Sequence, residues 1–170
     1  MIIVHHIELT KIKSKMKIIS GGQSGADIAG VKVALKHGFE TGGSMPKGWI
    51  TLKGSRPDYK NTYGMKETVQ STYPPRTELN VKDSDCTIWF GQNKFSAGKL
   101  CTFKYIRIHK KPSKDIDIDD PDSIDEIADW IKANNFNIIN IAGNSETSVN
   151  NMEKRVSDYL DKLFDIIDKK

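Results

Sequence analysis

The chain has 170 residues and a formal net charge of +4, with 37% hydrophobic and 28% charged residues. This balance is typical of one folded domain with a sizeable core, and it excludes a disordered chain. The basic residues are spread along the sequence, so we expect no nucleic-acid partner. No apolar run reaches the length of a membrane span, and the start lacks a signal-peptide pattern. We therefore predict a soluble, cytoplasmic protein with no membrane partner.

The first fifteen residues look like an appendage, so we predict an N-terminal appendage over residues 1–15 and a single domain over residues 16–170. His5 and His6 are adjacent, and adjacent residues of a strand point to opposite faces, so they would not chelate a metal together. Metal-ligand spacings are absent elsewhere. We therefore expect no metal bound directly by the protein, and we interpret Cys86 and Cys101 as buried thiols.

The most informative stretch is Ser-Gly-Gly-Gln-Ser-Gly-Ala-Asp at residues 20–27, between an apolar run and an amphipathic helix over residues 26–37. Glycines allow a tight turn, and the N–H groups of the next helix then favour an anion. The turn lacks the lysine of a P-loop and the spacing of a dinucleotide fingerprint, so it predicts a generic phosphate or nucleotide cradle. Asp27 either caps the helix or contacts the ligand. We expect Gly25→Asp to abolish ligand binding and leave the fold intact.

A second glycine-containing loop follows the predicted strand over residues 39–42. It contains Gly43, Pro46, Lys47 and Gly48, which suggests either a second ligand loop at the carboxyl edge of the sheet or a plain surface turn. Residues 50–67 show no clear period, so we predict a long excursion loop there.

The next stretch, residues 75–85, reads as a helix that begins at a proline. Arg76, Asn80 and Asp83 lie at helical spacing and would share one face, an arrangement that surface helices also show.

Two further strand–turn–helix units follow. The first has a buried strand at residues 86–90 and a helix that Ser96 can cap, running to about residue 109. The alternation at residues 115–118 predicts another strand, and Ser123 with Glu126 forms a capping box for the next helix. The last strand covers residues 136–142, and the final helix residues 149–167. These repeated units predict an α/β domain with a doubly wound, mostly parallel sheet.

Five blocks of the sequence together resemble the molybdenum cofactor carrier family, part of the SLOG superfamily of Rossmann-like nucleotide-binding proteins. They occur in the order typical of that family, and the similarity spans roughly residues 16–163. The blocks are residues 20–27, 42–48, 76–85, 96–102 and 140–143.

The resemblance implies a Rossmann-like, three-layer fold that binds a small phosphorylated ligand, either a molybdopterin-type cofactor or a nucleotide. It also implies a homo-oligomer. Lys47 would neutralise phosphate, Arg76 and its neighbours would line a wall, and Ser96 would open a second anion turn. Carried onto this sequence, the binding residues are Gly21, Gly22, Gln23, Ser24, Gly25, Asp27, Gly43, Pro46, Lys47, Gly48, Arg76, Thr77, Asn80, Asp85, Ser96, Gly98, Lys99 and Thr102.

The chain departs from the family pattern at three places. Ser24 and Lys99 stand where the family usually has threonine, and Asn144-Ser145 stands where it often has Pro-Arg. Because of the last departure, we assign no ligand contact to the turn after the final strand.

Two alternative functions stay open. Related lysine-decarboxylase-like enzymes of the superfamily hydrolyse a nucleotide N-glycosidic bond and carry a Pro-Gly-Gly-x-Gly-Thr-x-x-Glu block at the second turn. Here residues 96–104 contain no glutamate, so we name no catalytic residue and rank carrier above phosphoribohydrolase-like enzyme. The second alternative is a nucleotide-ligand sensor or scaffold without catalysis.

Overall fold

The computed structural model describes residues 16–92 and 95–169. The predicted appendage over residues 1–15, with its two histidines, lies outside the described residues. Within them, the strands are β1 (Lys17–Ile19), β2 (Glu40–Gly42), β3 (Ser44–Met45), β4 (Ile50–Thr51), β5 (Gly54–Ser55), β6 (Lys66–Glu67), β7 (Cys86–Gly91), β8 (Ser113–Asp117) and β9 (Ile138–Gly143). The helices are α1 (Ala26–Lys36), α2 (Tyr59–Tyr63), α3 (Tyr73–Asp83), α4 (Ala97–Ile108), α5 (Ile124–Ala133) and α6 (Met152–Asp168).

A five-stranded parallel sheet in the order β2-β1-β9-β7-β8 forms the centre of the domain. All six residues of β7 are buried, as expected for a parallel strand that is covered on both faces. The final strand, β9, lies between β1 and β7. The predicted α/β class with a parallel sheet is therefore confirmed.

Helices cover both faces of this sheet. The units β1–α1–β2 and β7–α4–β8 run outward in opposite directions, so right-handed crossovers place α1 and α4 on opposite faces. α1 packs against α6, which also packs against α5, whereas α3 packs against α4. The main core joins α1, α5 and α6 to the sheet, with Ile18, Ile88, Ile141 and Leu160 among its fully buried members. The doubly wound, three-layer prediction is confirmed.

The predicted excursion loop over residues 50–67 is wrong. This stretch contains the β4–β5 hairpin, the short helix α2 and β6, which pairs with β3. Two-residue strands are too short to show a period, which is why the pattern is invisible in the sequence. A small second core joins this segment to α1 and β3, and it consists of Ile28, Val31, Met45, Tyr59, Tyr63 and Met65.

The strand order creates a crevice at the carboxyl edge of the sheet. β1 and β7 lead to helices on opposite faces, and β9 ends between them. Ligands of open α/β sheets bind at such a topological switch point. Among the described residues, no helix is both long and apolar enough to cross a membrane.

Candidate functional site

A cavity of about 430 Å³ occupies the switch-point crevice. This volume lies within the range typical of small-molecule sites. Its walls come from the turn after β1, the first turns of α3 and α4, and the turn after β9. The lining includes seven of the predicted residues: Gln23, Asp27, Arg76, Thr77, Ser96, Gly98 and Thr102.

The glycine turn after β1 already uses its own amide donors. The Gly22 amide donates to Ser20 Oγ (3.2 Å), the Gln23 amide to Asp27 Oδ2 (3.3 Å) and the Ser24 amide to Gln23 Oε1 (2.9 Å). The Ala26 amide donates to the Asn144 carbonyl at 3.1 Å. In this structure the turn is therefore not an open cradle, because these amides are bonded within the protein, and phosphate binding there stays a prediction.

Close packing restricts two glycines of this turn. A Cβ at Gly21 would overlap the Arg76 guanidinium, and one at Gly25 would overlap the Asn144 carbonyl. Gly25 also has φ 88°, which disfavours other residues. From this packing we expect Gly25→Asp to destabilise the fold as well, in contrast to the expectation from the sequence.

Asp27 and Arg76 form a buried pair in the cavity. Arg76 Nη1 lies 3.4 Å from Asp27 Oδ2, and the two side chains are 13% and 5% exposed. Burial raises the pKa of the Asp27 carboxyl, although the Arg76 guanidinium and the amides of Gln23 and Gly21 act to lower it. Arg76 Nε has no hydrogen-bond partner among the described residues. A guanidinium with five donors thus has capacity for a further acceptor.

The first turn of α4 supplies a second group of donors. Ser96 caps the helix, with its Oγ accepting from the Lys99 amide at 3.2 Å. Within the described part of the chain, the amides of Ala97 and Gly98 have no hydrogen-bond partner. The positive end of a twelve-residue helix therefore faces the cavity with two free amides.

Apolar and aromatic groups form the rest of the wall. Trp89 in β7 is 3% exposed, and its Nε1 has no acceptor among the described residues. Tyr73 and Pro74 line the cavity from α3, and Leu52 from the β4–β5 turn. Cys101 also lines it, and burial raises the pKa of its thiol. The cavity thus combines a flat apolar part with a cationic, donor-rich part.

Residues 18–164 match the model of the Circularly permutated YpsA SLOG family. The chain belongs to this family. A similar solved structure is the crystal structure of "Putative molybdenum carrier protein" from Syntrophus aciditrophicus SB at 1.45 Å resolution, with 34% sequence identity and a TM-score of 0.80. The match covers 88% of this chain and 95% of that one. No curated protein matches the chain. The SLOG resemblance is therefore confirmed.

Three predicted binding residues of this SLOG protein have structural partners outside the cavity. Both ends of the Asn80 amide bind the Ser44 backbone, at 2.8 and 3.0 Å. Asp85 lies at the amino edge of the sheet, where its carboxylate accepts from the backbone at the start of β9. Lys99 Nζ lies 2.8 Å from the Asp115 carboxylate. The three residues do not line the cavity, and their role as ligand contacts stays a prediction from the family resemblance.

The second predicted loop also lies away from the cavity. Lys47 is exposed, and its amide donates to the Gln70 carbonyl at 2.8 Å. The Gly48 amide donates to Glu67 Oε2, and the Pro46 carbonyl accepts from Trp49. The fourth predicted residue of this loop, Gly43, packs on the Ser20 backbone. None of the four lines the cavity. In the structure this loop is a surface turn, and its role as a second ligand loop stays a prediction.

The sequence analysis missed part of the cavity wall in this family member. It assigned no contact to the turn after β9, yet Gly143, Asn144 and Ser145 line the cavity. The Asn144 side chain accepts from the Gln92 amide at 3.0 Å. The position of this turn at the carboxyl end of a central strand was the available signal. No group of three or more His, Cys, Asp or Glu residues that could hold a metal exists in the described ranges.

Proposed function

We propose that the cavity binds a phosphorylated pterin of the molybdopterin type or a nucleotide, and that the protein acts as a carrier of that ligand. The observation that carries this proposal is the buried Arg76 guanidinium, whose one ion pair is long and whose Nε has no partner in the described chain. An anion beside Arg76 would supply the missing acceptors. The name of the similar Syntrophus protein supports the choice of ligand class.

The two parts of the cavity suit the two parts of such a ligand. A phosphate at the α4 N-terminus would accept from the Ala97 and Gly98 amides and lie within reach of the Arg76 cation. A planar ring would then lie against Trp89, whose indole N–H could donate to a ring nitrogen or carbonyl. The mixed lining and the volume of about 430 Å³ allow both parts to bind together.

Calorimetric titration with adenosine 5′-monophosphate and with isolated molybdopterin cofactor tests this proposal. We expect Arg76→Gln to weaken binding at least about tenfold, because a charge-assisted hydrogen bond is lost. Arg107→Gln is the matched control, since Arg107 lies exposed near the end of α4 and does not line the cavity. Thermal unfolding of both variants checks that they fold. Equal binding by both variants, or no binding of either ligand to the wild type, would contradict the proposal.

A second candidate function is hydrolysis of a nucleotide N-glycosidic bond. The observation that favours it is Asp27, a buried carboxyl in the cavity whose pKa is raised by burial. A carboxyl that keeps its proton to higher pH can donate it to a departing base while water attacks the ribose carbon.

Incubation with nucleoside monophosphates separates the two functions. A carrier releases no free base, and a hydrolase releases one base per ribose 5-phosphate. If base appears, Asp27→Asn should abolish its release while the nucleotide still binds. Release that continues in this variant would remove Asp27 from the reaction.

A further inference from the structure

A second, smaller cavity lies on the other side of the glycine turn. Its volume is about 110 Å³, which is below the range of sites that hold ring-bearing ligands. Gln23 lines the large cavity, whereas Gly22 and Ser24 line the small one. The small cavity therefore suits a compact group rather than a pterin or a nucleobase.

The β4–β5 hairpin separates the two cavities. Leu52 lines the large cavity, and its neighbours Thr51 and Lys53 line the small one. Gln23 Oε1 accepts from the Leu52 amide at 2.8 Å and from the Ser24 amide at 2.9 Å. The Gln23 side chain thus joins the hairpin to the glycine turn, so the small cavity is a site of its own.

Ser24 shows that this site lacks an acceptor. The residue is 7% exposed, and its Oγ has no hydrogen-bond partner anywhere in residues 16–92 and 95–169. Buried hydroxyls almost always have a partner, so an orphaned one requires an explanation. A bound group that accepts from this hydroxyl provides it.

The charges around the small cavity specify the sign of that group. Among the described residues, Lys32, Lys53 and Arg56 line it together with the carboxylate of Glu153. Arg56 is already paired with Asp58, whose Oδ2 lies 2.8 Å from Arg56 Nη2. Glu153 is neutralised by Lys32, whose Nζ lies 2.6 Å away. Lys53 has no ion-pair partner among the described residues, so the lining has a net positive charge.

A tyrosine hydroxyl completes the set of donors. Tyr59 lines the small cavity, and its ring carries the Arg56 guanidinium at 4.4 Å from the ring centroid. A tyrosine hydroxyl is protonated at neutral pH and can donate, and burial raises the pKa of Tyr59 further.

We propose that the small cavity is a second binding site, for a free tetrahedral oxyanion such as inorganic phosphate. Ser24 Oγ and the Tyr59 hydroxyl would donate to its oxygens, and Lys53 would balance its charge. Such an anion requires hydroxyl and cationic donors that have no acceptor within the described protein. The site is independent of the ligand in the large cavity.

Titration of ¹⁵N-labelled protein with inorganic phosphate tests this site. We expect saturable shifts of the Ser24, Thr51 and Lys53 amide signals. Lys53→Gln should weaken this binding about tenfold. Lys60→Gln is the matched control, because Lys60 is exposed in the neighbouring helix α2 and does not line the cavity. Ser24→Ala, which removes no hydrogen bond made within the described residues, should weaken binding while leaving the melting temperature unchanged.

The outcomes separate this site from the large cavity. Shifts at Ala97 and Gly98 report on the proposed function, whereas shifts at Ser24 and Lys53 report on the second site. No saturable shift at Ser24 with millimolar phosphate overturns the proposal, and so does equal weakening by Lys53→Gln and Lys60→Gln. A titration with adenosine 5′-monophosphate checks independence: if it shifts Ser24 and Ala97 with one common Kd, the oxyanion belongs to the larger ligand and the separate site is refuted.

Discussion

Arg76 is the residue on which the large cavity depends. Three neighbours hold it: Gly21 leaves room for the guanidinium, Asp27 attracts it, and the Tyr73 ring lies 5.4 Å from its central carbon. These contacts leave one N–H donor of the guanidinium unused, because Nε has no hydrogen-bond partner in the described chain. The side chain is therefore positioned without being neutralised in full, as a residue that receives an anion requires.

Gly21→Ala should displace Arg76 and destabilise the protein by about 1–3 kcal/mol, because the added methyl group overlaps the guanidinium. Gly98→Ala is the control at the same cavity. Its Cβ would meet Trp89 at an ordinary distance of 3.7 Å, and alanine favours the helix by up to about 1 kcal/mol. Urea unfolding of both variants measures the difference. A Gly21→Ala protein as stable as the wild type would mean that Arg76 has room to move.

Asp27→Asn should change how stability depends on pH. The pKa of Asp27 is raised in the folded state. Its carboxyl therefore contributes to the free energy of unfolding in full below the usual pKa of 3.8, and this contribution is lost as pH rises through the higher folded-state pKa. The free energy of unfolding of the variant, relative to wild type, should therefore increase between acidic and neutral pH. Asp58→Asn provides the opposite sign, because hydrogen bonding to Arg56 lowers the pKa of Asp58. Urea unfolding across this pH range would contradict the expectation if the Asp27→Asn difference stayed constant.

At the scale of elements, helix ends and strand ends explain what could be predicted from the sequence. The caps at Ser96 and Ser123 were readable, because a hydroxyl three residues before the amide that donates to it is a local pattern, and both bonds form at 3.2 Å. The acceptors in the glycine turn were not readable from the sequence. Three of its amides bind nearby side chains whose direction composition does not show, and the Ala26 amide binds the distant Asn144 carbonyl. Composition alone therefore suggested free donors.

The same limit applies to charged residues on predicted helices. Lys99 and Asp85 had the right types for ligand contacts, but helical spacing does not say which face meets the cavity. Lys99 points to Asp115 of the edge strand β8, and Asp85 binds backbone amides at the opposite edge of the sheet. Only the packing of the helices and strands decides which way these side chains point. The parallel sheet, by contrast, could be predicted from the order of buried strands and helices along the sequence.

Asp85→Ala should destabilise the protein by about 1–2 kcal/mol, since it removes two hydrogen bonds to the Asn137 and Ile138 amides, both 2.8 Å long. Asp83→Ala is the control. Asp83 is exposed in the last turn of α3, where a carboxylate is unfavourable for the helix dipole, so this variant should be unchanged or slightly more stable. Chemical unfolding measures both. Ligand affinity should be unaffected by either change; a loss of affinity in Asp85→Ala would return this residue to the binding site.

At the scale of the whole molecule, the two diverging crossovers bring the first turns of α1 and α4 to one edge of the sheet, with β9 and its turn between them. The large cavity is thus assembled from distant parts of the chain, residues 23–27, 73–77, 96–102 and 142–148. Binding there would hold these parts together, and the core on the α1–α5–α6 face would be unaffected. The homo-oligomer implied by the family resemblance stays a prediction.

The three tryptophans report on three separate regions of this molecule. Trp89 lines the large cavity, Trp49 packs against the small core around Met45, and Trp130 meets Phe136 edge to face with ring centroids 5.0 Å apart. A ligand ring that binds against Trp89 should quench its fluorescence and leave the other two unchanged. The quenching by adenosine 5′-monophosphate or molybdopterin cofactor should therefore disappear in Trp89→Phe and persist in Trp130→Phe, with calorimetry confirming that both variants still bind. Quenching that survives in Trp89→Phe would show that the ligand binds elsewhere, and it would remove the large cavity as the site of the proposed function.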